Sequence, residues 1–553
     1  MIRRSSAHPT ATADIDAYLA RFAWHPEPEL VGYRDETASR EALERLGAAT
    51  WQTALEFLYG KATQRAMGDP APYAALRASF YGPGAGPSRA PTSPTPSAAI
   101  LEEFGTRVAG GLMNAQHPRQ FGYFTPPPLP ISIMGELLAQ MTNQGVDVWH
   151  AGPVAAFVEE EVVRWLCDLV GYGPGSFGLL TSGGVMANFM GMALARDIHL
   201  GRLLAAGRLP RGAMLEGVRV YTSDQTHFSI ARSLDELGFP PETLVVIPSD
   251  ATFRLRGAPV AAAVARDRRA GLTPFAIAAV AGSTNTGSVD AVGELADAAQ
   301  AEDLWLHVDA AYGGAARLSA RDAGRVPDLE RADSITVDPH KWFFQAYDIG
   351  GLVVRDGSHL GITFGGRSPE YYRGGETPGG GTPGARSGAR PRDHDGDRAE
   401  HDGHDDQLNF YKLGFEGTRR WRALKLWMSW KHLGTQGFGR LIEANDDLAA
   451  YLASRCAEAD DFEAIPEVPE LSVVCFRHLP DGRGAALERP PVDLDAHQDA
   501  LQAALERSGD GWLTTTRLRG STYLRAGIVN YFSTEEDIDH LLATLRSLAG
   551  ELP

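Results

Sequence analysis

The chain has 553 residues, 43% of them hydrophobic and 22% charged, with a formal net charge of −18. That length exceeds one simple core and predicts two or three domains. The acidic balance excludes non-specific attraction to nucleic acid or to an anionic membrane surface.

No apolar run approaches the roughly 18 to 20 residues that cross a bilayer. Three widely spaced cysteines, Cys167, Cys456 and Cys475, read as buried thiols of a reducing compartment rather than a disulfide frame. The opening stretch MIRRSSAHPTATADIDAYLA has basic and hydroxyl residues but no apolar signal core. It reads as a mobile tail on a cytoplasmic protein, with a transit peptide as the second reading. Helical spacing follows in WQTALEFLYGKA from Trp51, and YGPGAGPSRAPTSPTPSAAI, Tyr81 to Ile100, is too rich in Pro, Gly and Ser for a helix or a central strand. Residues 1–97 are therefore expected to be a helical segment and a linker.

Over 98–366 apolar runs alternate with amphipathic helices. VRVYTSD is a strand followed by a helix through IARSLDELG, and TPFAIAAVAGSTNTG is a buried strand with its turn. A helix is predicted at about Asp290–Glu302, then the strands LWLHVDA and SITV. Such alternation predicts an α/β domain with a mostly parallel sheet covered on both faces. Residues 367–406 crowd Gly, Pro, His and acids into what reads as a flexible insertion. Its His394, His401 and His404 stand among carboxylates, but no fixed scaffold is implied and no metal is expected. Residues 407–553 read as a smaller α+β domain. TRRWRALKLWMSWKHLG is a helix ending at Gly434 that packs through Leu424, Trp427 and Met428, the runs LSVVCFRH and STYLRAGIVNYF are strands, and Ser533 with Glu536 forms a capping box on the last helix.

One residue is out of character. Only five of the 52 basic residues are lysines, yet Lys341 sits at the end of SITVDPHKWFF beside Trp342, Phe343 and Phe344. Lysine in apolar surroundings can do what arginine cannot, because a primary amine forms a Schiff base. Asp309 closes LWLHVDA, 32 positions earlier; His227 follows VRVYTSD; Gly183 and Gly184 open a helix after TSGG; and GSTNTG adds hydroxyls at a fourth strand end. In an open parallel sheet these ends share one crevice. A Schiff-base lysine, a buried carboxylate, an imidazole and helix-start amides suited to phosphate together match pyridoxal 5′-phosphate.

The motifs TVDPHKW, HVDAAYGGAA, YTSDQTHFS and TSGGVMAN resemble those of the group II pyridoxal-dependent amino-acid decarboxylases, from about Ala98 to the C-terminus. The resemblance implies a fold-type I homodimer with its active site at the subunit interface, releasing an amine and carbon dioxide from an L-amino acid. It gives Lys341 the Schiff-base role, Asp309 the ring nitrogen, His227 the stacking position, Ala311 the place beneath the ring, Thr284 a place near cofactor or substrate carboxylate, and His340 a place beside the phosphate. Val185 stands where the family often has Ser or Thr, which leaves more of the phosphate binding to backbone amides near Gly183 and Gly184. The family's mobile-loop tyrosine falls at DDQLNFYKLGFEG, where Phe410 and Tyr411 compete; Tyr411 is the assignment, and Phe410 in that place would imply aldehyde-forming oxidative deamination. HPRQFGYFTPPP resembles a substrate wall, with Tyr123 and Phe124 apolar and Thr125 bonding the carboxylate. Tyr312, where glutamate decarboxylases usually carry Trp, leans away from glutamate. An aromatic amino acid is the expected substrate; 2,4-diaminobutyrate, an acidic amino acid or histidine are the alternatives, and a catalytically silent cofactor-binding relative is the reading from another class.

Overall fold

The computed structural model of the chain describes residues 17–32, 37–61, 65–66, 73–207, 215–365, 407–482 and 493–552. The 367–406 stretch, with His394, His401 and His404, lies outside them. Packing divides the chain into two compact units, Met1–Gln120 with Ala503–Trp512, and Phe121–Gln502 with Leu513–Pro553.

The first unit carries the helices Thr37–Lys61, Tyr73–Tyr81 and Ser97–Glu103. The proline-rich run between Tyr81 and Ser97 forms no regular element. The last of these helices is held at its start by Glu27, whose carboxylate accepts from the Ser97 amide and hydroxyl, both at 2.7 Å. A negative group there complements the helix dipole.

The second unit is built on a seven-stranded sheet. Its strands are β1 (Phe177–Thr181), β2 (Val218–Ser223), β3 (Leu244–Ile247), β4 (Thr273–Val280), β5 (Trp305–Asp309), β6 (Ser334–Val337) and β7 (Gly350–Val354), in the order β1-β7-β6-β5-β4-β2-β3. Neighbours pair in parallel except that β7 runs antiparallel to both β1 and β6. The expectation of a mostly parallel sheet holds, and its apolar strands face a core on either side. In β4, Ile277 and Ala279 enter one core while Ala276 and Ala278 enter the other. In β1, Leu180 and Leu179 divide in the same way. Burial of both faces is why these strands read as continuous apolar runs rather than alternating ones.

A second sheet, β8 (Phe462–Ile465), β9 (Val473–His478), β10 (Thr514–Leu518) and β11 (Ser521–Gly527), is antiparallel in the order β10-β11-β9-β8. The helix expected to end at Gly434 does break there, at φ 62°, but helical structure resumes at once and the element runs Ala423–Glu458. Gly accepts that left-handed conformation without strain. The last helix, Glu535–Glu551, has its capping box one residue later than expected, on Thr534 and Asp537. Both residues satisfy the amide-capping chemistry, so the motif slid by one along STEED.

Candidate active site

Because β1, β2, β4, β5 and β6 are mutually parallel, their carboxyl ends open on one edge of the sheet. Thr181 and the following glycines, His227, the Gly282–Gly287 turn, Asp309 and Lys341 all belong to that edge. β7 enters it from the opposite direction at Gly350. A Cβ on Gly350 would lie 2.5 Å from the Gly183 Cα, so the two glycines let adjacent turns touch.

Asp309 is buried and held by two N–H donors, the Asn188 Nδ2 at 2.7 Å and the Ala311 amide at 3.1 Å. It makes no ion pair with Lys or Arg among the described residues. Asn188 was not foreseen as a site residue and organises the region. Its Nδ2 also donates to the Ser229 hydroxyl (2.8 Å), and its Oδ1 accepts from Thr336 (2.6 Å) and His307 Nε2 (3.0 Å). The chain of bonds fixes tautomers. The Ser229 amide donates to His227 Nδ1 at 3.3 Å, which makes that nitrogen an acceptor; the Ser229 hydroxyl then donates to it as well, at 2.7 Å, and His227 carries its hydrogen on Nε2. Burial lowers the His227 pKa from its ordinary value, with Asp309 opposing and Lys341 reinforcing the shift, so the ring is neutral at pH 7.

Lys341 Nζ lies 3.4 Å from Asp338 Oδ2, the same oxygen that accepts the Gly184 amide at 2.8 Å. His340 Nε2 is 3.8 Å from it, and His340 Nδ1 accepts from the Ile349 amide at 3.3 Å. The Gly183 amide donates to the Thr181 hydroxyl at 3.3 Å. The expected cradle is therefore displaced: the amides of Gly183 and Gly184 are already engaged, and those of Val185 and Met186, in the first turn of the helix Gly184–Leu194, lack an intrahelical acceptor. Side chains would not fit at the glycine. A Cβ on Gly184 would stand 2.7 Å from Asp338 Oδ2 and 3.3 Å from the Ala311 Cβ.

The expected substrate wall divides. Phe124 is buried and stacks on Tyr312 at 4.1 Å, which stacks on Trp342 at 4.9 Å, and Lys341 Nζ is 5.9 Å from the Phe124 centroid. Thr125 joins the Tyr347 hydroxyl at 3.3 Å, while Tyr123 is exposed. Tyr312 backs Phe124, with its hydroxyl bonded to Ser472. Across the wall stands Arg525, also unforeseen. Its guanidinium lies 4.7 Å from the Phe124 centroid, and its Nε donates to the Thr284 carbonyl at 2.7 Å. The residue is buried, and its Nη2 has no hydrogen-bond partner among the described residues. An arginine inside the apolar run TYLRAGIV was the available signal.

Phe410 and Tyr411 lie elsewhere. Phe410 is fully buried and stacks on Phe177, at the start of β1, roughly 13 Å by strand rise from Thr181. Phe410 is thus a core side chain of this chain. The Tyr411 amide donates to the Asp147 carbonyl at 3.0 Å, and its ring lies under Lys412 Nζ at 5.7 Å. These contacts place Tyr411 beside Asp147 and Lys412 within its own chain.

A buried carboxylate without a cation is costly unless something positive meets it. The protonated ring nitrogen of pyridoxal phosphate would answer that need at Asp309, the amine of Lys341 would suit its aldehyde, and the first-turn amides would suit its phosphate. The comparisons agree with that fit. Residues 84–373 and 399–479 match the pyridoxal-dependent decarboxylase conserved domain. An aromatic-L-amino-acid decarboxylase of Bacillus atrophaeus is 30% identical over 454 residues, covering 82% of this chain and 85% of that protein. An L-2,4-diaminobutyrate decarboxylase of Rhizobium meliloti (strain 1021) is 31% identical over 455 residues, covering 82% of each. The glutamate decarboxylase domain of a diaminobutyrate-pyruvate transaminase and L-2,4-diaminobutyrate decarboxylase from Vibrio parahaemolyticus superposes with a TM-score of 0.74. It is 26% identical and covers 97% of this chain and 100% of that one. The chain belongs to the pyridoxal-dependent decarboxylase family. It is a fold-type I, pyridoxal-phosphate-dependent carboxy-lyase of amino-acid metabolism.

Proposed function

We propose that the substrate is an aromatic L-amino acid, released as its amine and carbon dioxide. The observation that carries this reading is the pairing of one ring wall with one buried cation: Phe124 backed by Tyr312 and Trp342, and Arg525, whose Nη2 lacks a hydrogen-bond partner among the described residues. One guanidinium suits one carboxylate, while an acidic side chain would call for a second cation and a diaminobutyrate side chain for a carboxylate. The family's aromatic-L-amino-acid decarboxylase of Bacillus atrophaeus supports the choice.

Bound pyridoxal phosphate supplies an electron sink for the pair left when the Cα–carboxylate bond breaks. Lys341 would hold the cofactor's aldehyde carbon. Asp309, fixed by Asn188 and Ala311, would keep the proton on the ring nitrogen. Neutral His227 would lie against the ring with its hydrogen on Nε2, and the Val185 and Met186 amides would take the phosphate beside His340. Arg525, tied to the Thr284 carbonyl, would seat the substrate carboxylate and so decide which bond stands perpendicular to the ring. Trp342, Phe343 and Phe344, all fully buried, would keep water from the lysine side of the site.

We also read the chain as half of a homodimer. Val185, Phe228, Tyr347 and Tyr123 are exposed apolar groups next to Gly184, His227, His340 and Phe124, and exposed Leu137, Leu138 and Met141 add to the apolar surface. Sedimentation equilibrium giving a monomer mass at micromolar concentration would count against this.

Borohydride reduction and digestion should place the pyridoxyl tag on the Lys341 peptide. Incubation with each amino acid, read by mass spectrometry, should show aromatic amines as the main products. Diaminopropane or an ω-amino acid as the main product would replace the aromatic reading, and peroxide with ammonia would favour the oxidative one.

A further inference from the structure

One carboxylate in the site is assigned nothing by the reading above. Asp338 lies one residue beyond β6, 2% exposed, with its amide donating to the Ala311 carbonyl at 3.1 Å and its carbonyl accepting from the Lys341 amide at 2.9 Å. Its Oδ2 takes the Gly184 amide at 2.8 Å and stands 3.4 Å from Lys341 Nζ. Among the described residues no donor reaches Oδ1, which is buried and lies only 2.6 Å from where a Cβ on Gly350 would stand. The side chain is thus wedged between the Gly183–Gly184 turn and the start of β7, with little room to swing aside. A neutral Asn at this position could still accept the Gly184 amide through its side-chain oxygen. The negative charge is the feature that the local hydrogen bonding does not require.

Its consequences follow from where it sits. The Lys341 amine must leave the ion pair before it attacks the cofactor aldehyde. In that condensation a C=N bond forms, the carbonyl oxygen leaves as water, and the proton shed by the ammonium passes to solvent. A phosphate approaching the Val185 and Met186 amides also meets the Asp338 anion across the Gly184 amide. Each half of the cofactor is opposed by the same carboxylate.

We propose that Asp338 is a positioning residue that restrains cofactor capture, acting as a latch on Lys341 and on the phosphate cradle together. The proposal rests on Lys341 being the cofactor lysine. Two probes separate its arms in the full-length protein stripped of cofactor. Pyridoxamine phosphate carries the phosphate without an aldehyde, and pyridoxal carries the aldehyde without a phosphate.

In Asp338→Asn, pyridoxamine phosphate should bind roughly tenfold tighter by fluorescence titration, and pyridoxal should condense roughly tenfold faster by absorbance, the scale of one lost ion pair in a half-screened site. Pyridoxamine phosphate bound equally or less tightly would overturn the latch and make Asp338 a support of the cradle. Should the Asn protein fail to fold by thermal melting, Asp338→Ser carries the same readouts with the same sign. Borohydride tagging of the wild type keeps the two failures apart. A tag away from Lys341 removes the cofactor assignment and the latch with it, whereas a tag on Lys341 beside an unimproved neutral variant removes the latch alone.

Discussion

Asn188 shows how a single side chain can hold an active site that it would not itself enter. Its amide meets a carboxylate, two hydroxyls and an imidazole, and each partner is buried. Asn188→Asp keeps the shape but replaces the donor facing Asp309 with an acceptor at 2.7 Å. The variant should lose about 2–4 kcal/mol of stability, the cost of an unsatisfied or repelling group in a closed network, and should hold cofactor more weakly. A urea midpoint and a cofactor titration unchanged from wild type would show that the network is not what fixes Asp309. The residues that sequence reading named, Lys341, Asp309 and His227, were legible because each closes or follows a strand and the crevice rule gathers strand ends. Asn188, Asp338 and Arg525 escaped because their roles come from partners 121, 154 and 241 positions away in the chain, as with Asn188 to Asp309, Gly184 to Asp338 and Thr284 to Arg525.

Among the elements, the start of β7 constrains the site most tightly. Its two adjacent glycines differ in what surrounds them. A Cβ on Gly350 would meet the Gly183 Cα at 2.5 Å and Asp338 Oδ1 at 2.6 Å, while the atoms nearest to one on Gly351, from Leu166, Val337 and Leu180, stand at 3.5 Å or beyond. Gly350→Ala must push backbone against backbone and move the turn that precedes the cradle, whereas Gly351→Ala needs no shift. The first should weaken cofactor binding at least tenfold and cost about 1–3 kcal/mol, and the second should leave both nearly unchanged. Equal binding in the two variants would show that the cradle does not depend on the strand behind it. Strand and helix positions were readable from period and length, but ends were not. The final capping box slid by one residue because Ser533 and Thr534 offer the same chemistry, and Gly434 turned out to join two helical runs because a glycine break does not say whether a helix resumes.

At the scale of the molecule, the helix Ala423–Glu458 and the loop that follows Tyr312 enclose two acids with too few cations. Asp446 is buried, and among the described residues no donor reaches either of its oxygens within hydrogen-bond distance. Asp322 is fully buried and takes Arg321, Ser319 and the Nε of Arg325 at 3.1 Å, so the Arg325 guanidinium, whose Nη1 lies 3.9 Å from Asp446, is already shared with Asp322. Burial first, and then the Asp322 charge, push the Asp446 carboxyl from 3.8 up to about 8. The native chain therefore keeps a proton that the unfolded chain gives up, and stability falls as pH rises through the window between those two values. At 1.36 kcal/mol per pH unit the loss from pH 5 to pH 8 is about 4 kcal/mol. His307, which burial lowers to about 4, contributes a slope of opposite sign below pH 6.5, and Asp290, raised to about 7 chiefly by burial, contributes one of the same sign. Both are present in either protein, so the difference between wild type and Asp446→Asn isolates the single acid. Urea midpoints measured from pH 5 to pH 9 should show the Asn protein gaining on the wild type steadily up to about pH 8 and then running parallel to it. A gap that stays constant across the range would mean that Asp446 is ionised in the native protein and that Arg325 compensates it after all.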